Sequence, residues 1–429
     1  MDTNCMADLE YLGLPPAHSV VAVAMSGGVD SSLTALLMAR HGCTVVGVTM
    51  KVYDSSIAFP AGTGNGCYGP GEEEDEESCR SLCGRIGAEY HTIDLSSQYA
   101  KEVLGYFKDE YRKGRTPNPC LRCNPLMKFG LMPRMLRERG VGFDFFVTGH
   151  YVRLMAPRGD AARGVYLAPA VDGSKDQSYF LQRLTQAELR TARFPLGSMT
   201  KVEVRAMARA EGLETADKPD SQDFIAPEDY GPLFSDLKPE NGDIVLGSGD
   251  VLGKHRGIVR YTVGQRRGLG VSIGPEPLYV LSLDAKKNRV VVGPEDELFA
   301  SSLEAEDPRW SPGFGTVPFR CYAKIRLASK PAPALVTPLA DGGVRVDFDA
   351  PQRAIAPGQS AAFYVPRSHP GGDGKENENG TPGDTAHPSS GISRSISDTI
   401  LAGGAVIERA LPQRTPPQSP RASSAGSAN

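Results

Sequence analysis

The residues best suited to chemistry are Ser26-Gly27-Gly28-Val29-Asp30-Ser31-Ser32, which follow the run VVAVAM and precede the stretch LTALLMA. The run has the composition of a buried parallel strand, and the stretch after it has the period of a helix. A strand that turns through glycines into a helix N-terminus makes an anion site. The glycines let the backbone approach a phosphate, free N–H groups point at it, and the helix dipole adds partial positive charge. The loop lacks the lysine of a GxxxxGK[ST] motif, which argues against a Walker-type triphosphatase. An incidental glycine-rich turn is the bland alternative, but it gives no reason for two serines and an aspartate in this setting.

A second group lies in GRTPNPCLRCN, residues 114 to 124. Pro117 and Pro119 keep the backbone extended or turned, so Cys120 and Cys123 are presented at C-x-x-C spacing from a loop. Arg115 and Arg122 flank them and are expected to lower the thiol pKa, favouring the thiolate that acts as nucleophile or metal ligand. A structural zinc site needs four ligands, and no second C-x-x-C exists. Of the 8 cysteines, Cys79 and Cys83 fall with Leu82 and Ile86 on one face of a helix whose first turn is the acidic run Glu72 to Glu77. They read as small core residues. Cys67 sits in GTGNGCYGPG, a loop after the strand that ends near Met50.

These groups need a scaffold. Residues 18 to 215 alternate strand-like and helix-like segments, which predicts an α/β domain with a doubly wound parallel sheet. The loops at the carboxyl ends of its strands then line one site: SGGVDSS, Met50 with its following segment, and Thr148-Gly149-His150. Residues 216 to 296 carry short strand candidates, GDIVL, DVLGKH, IVRYTV, LYVLSLD and RVVVG, expected to form a small central β-rich domain. Residues 297 to 411 carry a second series of strand candidates, FRCYAKIRL, ALVTPL, GVRVDFD, AAFYV and DTILAGGAVIER, expected to form the last domain. A Gly-, Pro- and Ser-rich stretch at 366 to 397 reads as a disordered insertion in its last hairpin, 412 to 429 as a disordered tail, and 1 to 17 as an N-terminal extension.

The chain has 429 residues and a formal net charge of −4, but residues 251 to 274 hold Lys254, Arg256, Arg260, Arg266 and Arg267 and no acid. Such a stretch can track a phosphate backbone, or be merely a solvated basic hairpin. No apolar run approaches the ~20 residues that span a bilayer, so no membrane association is expected. The start of the chain has three acids and no base, unlike a secretory or transit segment. A cytoplasmic protein is expected.

SGGVDS resembles the pyrophosphate loop of the ATP-pyrophosphatase superfamily, whose members cleave ATP between the α and β phosphates and adenylate a carbonyl oxygen. A narrower resemblance rests on eight collinear blocks: SGGVDSS, GRTPNPxxxCN, KFG, TGHY, KDQSYFL, KPDSQDF, YTVGQRRGLG and PGQSAAFY. Their order and spacing are similar to those of the tRNA-specific 2-thiouridylases (MnmA), over roughly residues 18 to 365 and 398 to 408. That resemblance implies an N-terminal ATP-pyrophosphatase domain, a small central domain and a C-terminal antiparallel β-barrel over 297 to 411, together gripping tRNA. It implies ATP-dependent replacement of the C2 oxygen of the wobble uridine of tRNA by sulfur, with Mg²⁺ on the pyrophosphate. It implies an ATP site at Ala24, Met25, Ser26, Gly27, Gly28, Val29, Asp30, Ser31, Met50 and Gly149. Asn118, Pro119 and Cys120 match the contact with the target base, and Cys123 matches the nucleophile that carries a persulfide. His150, Lys175, Asp176, Gln177, Arg326 and Gln359 match tRNA contacts.

Two departures qualify the match. Many members have aspartate in place of Cys120, and carry a second catalytic cysteine in a DSxxxCF segment where this chain reads DSQDFIAPEDY. No cysteine lies between Cys123 and Cys321, so the usual cysteine-pair route cannot run unchanged. The chain is similar here to tRNA thiolases that hold a 4Fe–4S cluster on three cysteines, and Cys67, Cys120 and Cys123 are the expected ligands. The competing route keeps Cys123 as persulfide carrier and Cys120 as the thiol that resolves it. Either route needs a sulfur donor, a sulfurtransferase relay or free sulfide. Two other function classes stay open: another adenylating activity of the superfamily, and a tRNA-binding protein with an inactive ATP site.

Overall fold

The computed structural model describes residues 8–55, 57, 66–220, 231–234, 240–367 and 396–411. Val20–Met25 and Thr44–Lys51, both β-branched and apolar, are central strands of a five-stranded sheet. The spatial order is Glu89–Asp94, Thr44–Lys51, Val20–Met25, Phe145–Thr148, Ala192–Arg193, and every pairing is parallel. The chain thus builds outward from Val20–Met25, then returns to add Phe145–Thr148 on its other side. In open α/β sheets the crevice at such a reversal, outside the carboxyl ends of the strands, is where ligands bind. The doubly wound reading of this domain is borne out.

Helices cover the sheet. Val29–Arg40 starts at Gly28, directly beyond the glycine turn, and buries Leu33, Leu36 and Met38. Glu72–Ile86 opens on four acids, ends on Gly87 in the left-handed region, and buries Cys79, Leu82 and Cys83. Its acids complement the helix dipole and its apolar face packs on the sheet, as the spacing predicted. Lys201–Ala210 begins with a reciprocal capping box between Thr200 and Glu203.

The rest is antiparallel or mixed. Leu9–Tyr11, within the stretch read as an extension, pairs with Val152–Pro157, which pairs in turn with Tyr166–Pro169. A three-residue strand is too short to show a period. The central domain is a four-stranded sheet of Val251–His255, Gly242–Leu246, Arg289–Gly293 and Tyr279–Asp284. IVRYTV is not a strand: Gly257 adopts φ 107° and turns the chain into a single 3₁₀ turn at Ile258–Arg260. The six strands Phe299–Trp310, Val344–Arg353, Ala332–Pro338, Phe319–Lys324, Ser360–Pro366 and Thr399–Leu411 close into a barrel, which removes exposed edges. The last two pair antiparallel as one hairpin; most of the insertion expected between them, and the tail, lie outside the described residues. Among the described residues, no helix is long and apolar enough to cross a membrane.

The cap at Thr200 matters because the next residue, Lys201, enters the site. The Thr200 side chain accepts a hydrogen bond from the Glu203 N–H. Thr200→Ala should lower unfolding stability by about 1 kcal/mol in urea denaturation. An unchanged denaturation midpoint would show that tertiary packing alone holds this helix end.

Candidate active site

The glycine turn is preorganised by its own serines. Ser31 Oγ accepts from the Ser26 N–H at 3.1 Å and donates to the Gly28 carbonyl at 3.2 Å, while Gly27 takes φ 68°. Ala24 and Met25 lie in the strand below, Met25 buried against Cys83. Val29 and Ser31 are buried in the first turn of the helix. Met50, at the end of the neighbouring strand, packs against the apolar cores on either side of it.

Across the reversal point, Gly149 lies against the same turn. A β-carbon at Gly149 would stand 2.9 Å from the Asp30 carbonyl carbon, so only glycine lets the two loops meet. Asp30 is clamped at this junction. It accepts from the Tyr151 hydroxyl at 2.8 Å, and both its oxygens accept from Lys201 Nζ at 2.8 Å. Lys201 also reaches Asp220, which Lys175 and Arg205 contact too. Burial opposes ionisation of Asp220, yet the hydrogen bonds from Lys175 and Lys201 hold its carboxyl down to about 2. Burial, with the Asp30 charge beside it, keeps the Tyr151 phenol protonated.

The cysteine turn connects to this junction by an unbroken path. Asn118 Oδ1 accepts from the Cys120 N–H at 3.0 Å, and Cys120–Cys123 forms one helical turn after Pro119. The Asn124 amide donates to the Cys120 carbonyl at 3.0 Å and the Phe180 carbonyl at 3.5 Å. The Phe180 N–H donates to the Gln177 carbonyl, Gln177 Oε1 accepts from the Tyr151 N–H, and Tyr151 ends on Asp30. Both C-x-x-C and glycine turn therefore sit at one sheet edge.

The activating charges differ from expectation. Arg115 pairs with Glu110 and Glu306, each at 2.7 Å, and Arg122 pairs with Glu102 and stacks over Tyr106. Neither is the cation that acts on Cys123. Burial pushes that thiol up to about 11, Lys128 opposes the rise, and Cys67 adds to it. Lys128 and burial also keep His150 neutral, its Nδ1 2.7 Å from Thr148 Oγ1.

The third-ligand expectation does not fit. Cys67, exposed, lies next to Tyr68, whose ring stacks on Tyr99 at 5.6 Å. Burial raises the Tyr99 phenol most, and nearby Cys123, Cys67 and Cys120 add to the rise. Even so, among the described residues no three His, Cys, Asp or Glu side chains stand close enough to share a metal ion. The three-thiolate set Cys67, Cys120 and Cys123 is thus not assembled as a metal site, although Cys67 lies near enough to Cys123 to raise its thiol. Cys79, read as core, is buried but also accepts from the Gly27 N–H at 3.1 Å.

Several expected tRNA contacts have structural partners. Asp176 accepts from the Ala170 and Ser178 N–H groups and the Ser178 hydroxyl. Arg326 donates to the Val263 and Ala354 carbonyls, binding the central domain to the barrel. Gln359 donates to the Thr116 carbonyl at 2.9 Å, fastening the barrel to the cysteine loop. In the basic stretch Lys254 pairs with Asp243. Arg256, Arg260, Arg266 and Arg267 are exposed and have no ion pair among the described residues. Sequence reading gave no role to Lys128, Tyr151, Lys201, Asp75 or Lys218, although Lys128, Tyr151 and Lys218 fall within the blocks KFG, TGHY and KPDSQDF. Lys201 had a signal in the capping box before it, and Asp75 was hidden in an acidic run.

Three family models match the chain in tandem: a tRNA methyl transferase HUP domain over 19–226, a tRNA methyl transferase PRC-barrel domain over 233–294, and an aminomethyltransferase β-barrel domain over 300–372. Proteins named tRNA-specific 2-thiouridylase MnmA align over nearly their whole length. That of Endomicrobium trichonymphae is 42% identical over 350 residues, 80% of this chain and 95% of its own. That of Magnetococcus marinus is 43% identical over 351 residues, with the same coverage. The chain belongs to the MnmA family. A solved 4-thiouridine synthetase–RNA complex with bound ATP aligns over 48% of this chain and 45% of its own, at 18% identity and a TM-score of 0.30, too low to bear on the assignment.

Because Lys128 is the charge that opposes the rise at Cys123, Lys128→Ala should raise that thiol further. Below about pH 9, iodoacetamide labelling of the Cys123 peptide, followed by mass spectrometry, should slow relative to the parent chain. Equal labelling rates across the pH range would remove Lys128 from the account.

Proposed function

We propose that this MnmA-family chain replaces the C2 oxygen of the tRNA wobble uridine by sulfur, using ATP to adenylate that oxygen. The supporting observation is the hydrogen-bonded path from Asp30 to Cys120, which holds an anion-binding turn and a C-x-x-C turn at one sheet edge. An adenylating step and a sulfur-transfer step need that proximity. The residues from Ala24 to Ser31, with Met50 and Gly149, form the nucleotide site. The N–H groups at the start of the helix after Gly28 face the phosphates, while Lys201 and Tyr151 fix Asp30. A Mg²⁺ carried on the nucleotide needs only one or two carboxylates, and Asp30 borders the turn. The ion would neutralise the leaving pyrophosphate.

Asn118, Pro119 and Cys120 face the target base in this reading, and His150, Lys175, Asp176, Gln177, Arg326 and Gln359 line the approach of the tRNA. Asp176, Arg326 and Gln359 contribute mainly by holding backbone, given their partners above. No step is routed through an iron–sulfur cluster, since among the described residues no three His, Cys, Asp or Glu side chains are placed to hold one. Instead Cys123 takes a sulfur atom from a donor of the persulfide class, which departs as its thiol. The terminal sulfur of the Cys123 persulfide attacks C2, and AMP leaves with the oxygen. The Cys120 thiolate then attacks the Cys123 sulfur, releasing the 2-thiouridine and leaving a Cys120–Cys123 disulfide for an external dithiol to reduce. A cytoplasmic location belongs to this reading.

The test is a single turnover with unmodified tRNA, ATP and a persulfide donor, without external dithiol, followed by nucleoside mass spectrometry. The parent chain should release AMP, pyrophosphate and 2-thiouridine. Cys123→Ser should abolish the thionucleoside, and Cys120→Ser should trap a tRNA adduct that dithiothreitol releases. Pyrophosphate release with no 2-thiouridine would sink the thiolation reading in favour of another adenylation.

Recognition of tRNA falls to the unpaired arginines of the central domain. Neutralising Arg266 and Arg267 together should weaken binding of all tRNAs alike and flatten the slope of log K against log salt by about 2. An unchanged slope assigns them to solvated surface.

A further inference from the structure

The glycine turn carries an ion pair that the reading above does not use. Asp75, in the first turn of Glu72–Ile86, lies directly on Gly27. A β-carbon built there would stand 2.6 Å from its Oδ1. Lys218 pairs with that carboxylate, and its Nζ donates to the Gly27 carbonyl at 3.2 Å. Acid and lysine thus occupy the face of the glycine whose backbone a phosphate would approach, and the Gly27 N–H is spent on the weak acceptor Cys79.

Four cations gather near this turn, and they differ in what they can do. Lys201 is 10% exposed and held between Asp30 and Asp220. Arg205 is bound to Asp220 and to the carbonyls of Ala216 and Lys218. Lys175 is turned to Asp220. Lys218 is the one among these four that touches a glycine of the turn, through the Gly27 carbonyl. Its pair with Asp75 is about a third exposed on both sides, 34% and 36%, a setting in which ion pairs are weak and readily exchanged. Its backbone, by contrast, is fixed by Arg205, so the side chain can swing from a stationary base.

From this geometry we propose that Lys218 is a pyrophosphate-binding residue, and that Asp75 is its counter-ion in the nucleotide-free protein, displaced when ATP binds. The inference rests on the nucleotide reading of the turn. A triphosphate brings several negative charges to the place where Asp75 now sits. Two anions cannot share that space without repulsion, so the carboxylate leaves and the ammonium transfers to the phosphate oxygens. The exchange also ties nucleotide occupancy to residues 214 to 220, since Lys218 and Asp220 stand two positions apart on the same segment.

The experiment is calorimetric titration of the full chain with two probes, α,β-methylene-ATP and AMP, in the presence of Mg²⁺. AMP lacks the β and γ phosphates and reports the rest of the site. Lys218→Gln should weaken the triphosphate analogue roughly tenfold or more and leave AMP unchanged, because one charge-assisted hydrogen bond to the pyrophosphate is lost. Lys218→Arg should restore most of the affinity, which separates a lost charge from a misfolded variant. Asp75→Asn should tighten the analogue, since Lys218 no longer has to be released. Analogue binding unaffected by Lys218→Gln, or an equal loss for both probes, would overturn the proposal. Weaker analogue binding by Asp75→Asn would overturn the counter-ion role. A parent chain that binds neither probe would instead overturn the nucleotide reading on which this inference rests.

Discussion

Asp30 organises the site. Its carboxylate receives the Tyr151 hydroxyl from one loop and the Lys201 ammonium from a helix far along the chain, while its backbone touches Gly149. Lys201 is nearly buried, and removing one partner of a buried charge pair leaves the other desolvated and unpaired, which is costly. That cost holds the glycine turn, the end of Phe145–Thr148 and the Lys201–Ala210 helix in a single arrangement. The specificity of this clamp, more than its net strength, is what the surrounding structure depends on.

From that clamp the order of assembly outward is physical. Tyr151 bonds Gln177, Gln177 and Phe180 support Asn124, and Asn124 caps the cysteine turn. The barrel then closes over the same turn: the Thr116 N–H donates to the Pro357 carbonyl, and Gln359 returns a bond to the Thr116 carbonyl. Tyr179 and Tyr364, both fully buried, knit the barrel to the segment after Gln177. A barrel remote in sequence thereby becomes one wall of the cysteine site.

The electrostatics follow a consistent division. Around the glycine turn, carboxylates and ammonium groups alternate in paired contacts, and those from Lys175 and Lys201 hold the Asp220 carboxyl down against the effect of burial. Around Cys123, aromatic rings and apolar side chains dominate, and desolvation raises thiols and phenols together. In the proposed reading the turn that takes phosphate lies among paired charges and the turn that carries sulfur among apolar and aromatic side chains.

Read alone, the sequence determined four of the five strands of the parallel sheet, the acid-led helix, the glycine turn, the cysteine pair and five of the six barrel strands; Ala192–Arg193 and Phe299–Trp310 were not legible. Each legible element is a local pattern of period or composition, and local patterns survive without tertiary context. The family followed from the same motifs, because their order along the chain is itself information. Tertiary structure alone decided the electrostatic partners. Arg115 and Arg122 neighbour the cysteines in sequence but turn away to Glu110, Glu306 and Glu102, while Lys128 acts on Cys123 instead. Asp75 and Lys218 meet at Gly27 from 143 positions apart. Charge pairing depends on distance in space and on burial, and a linear spacing encodes neither.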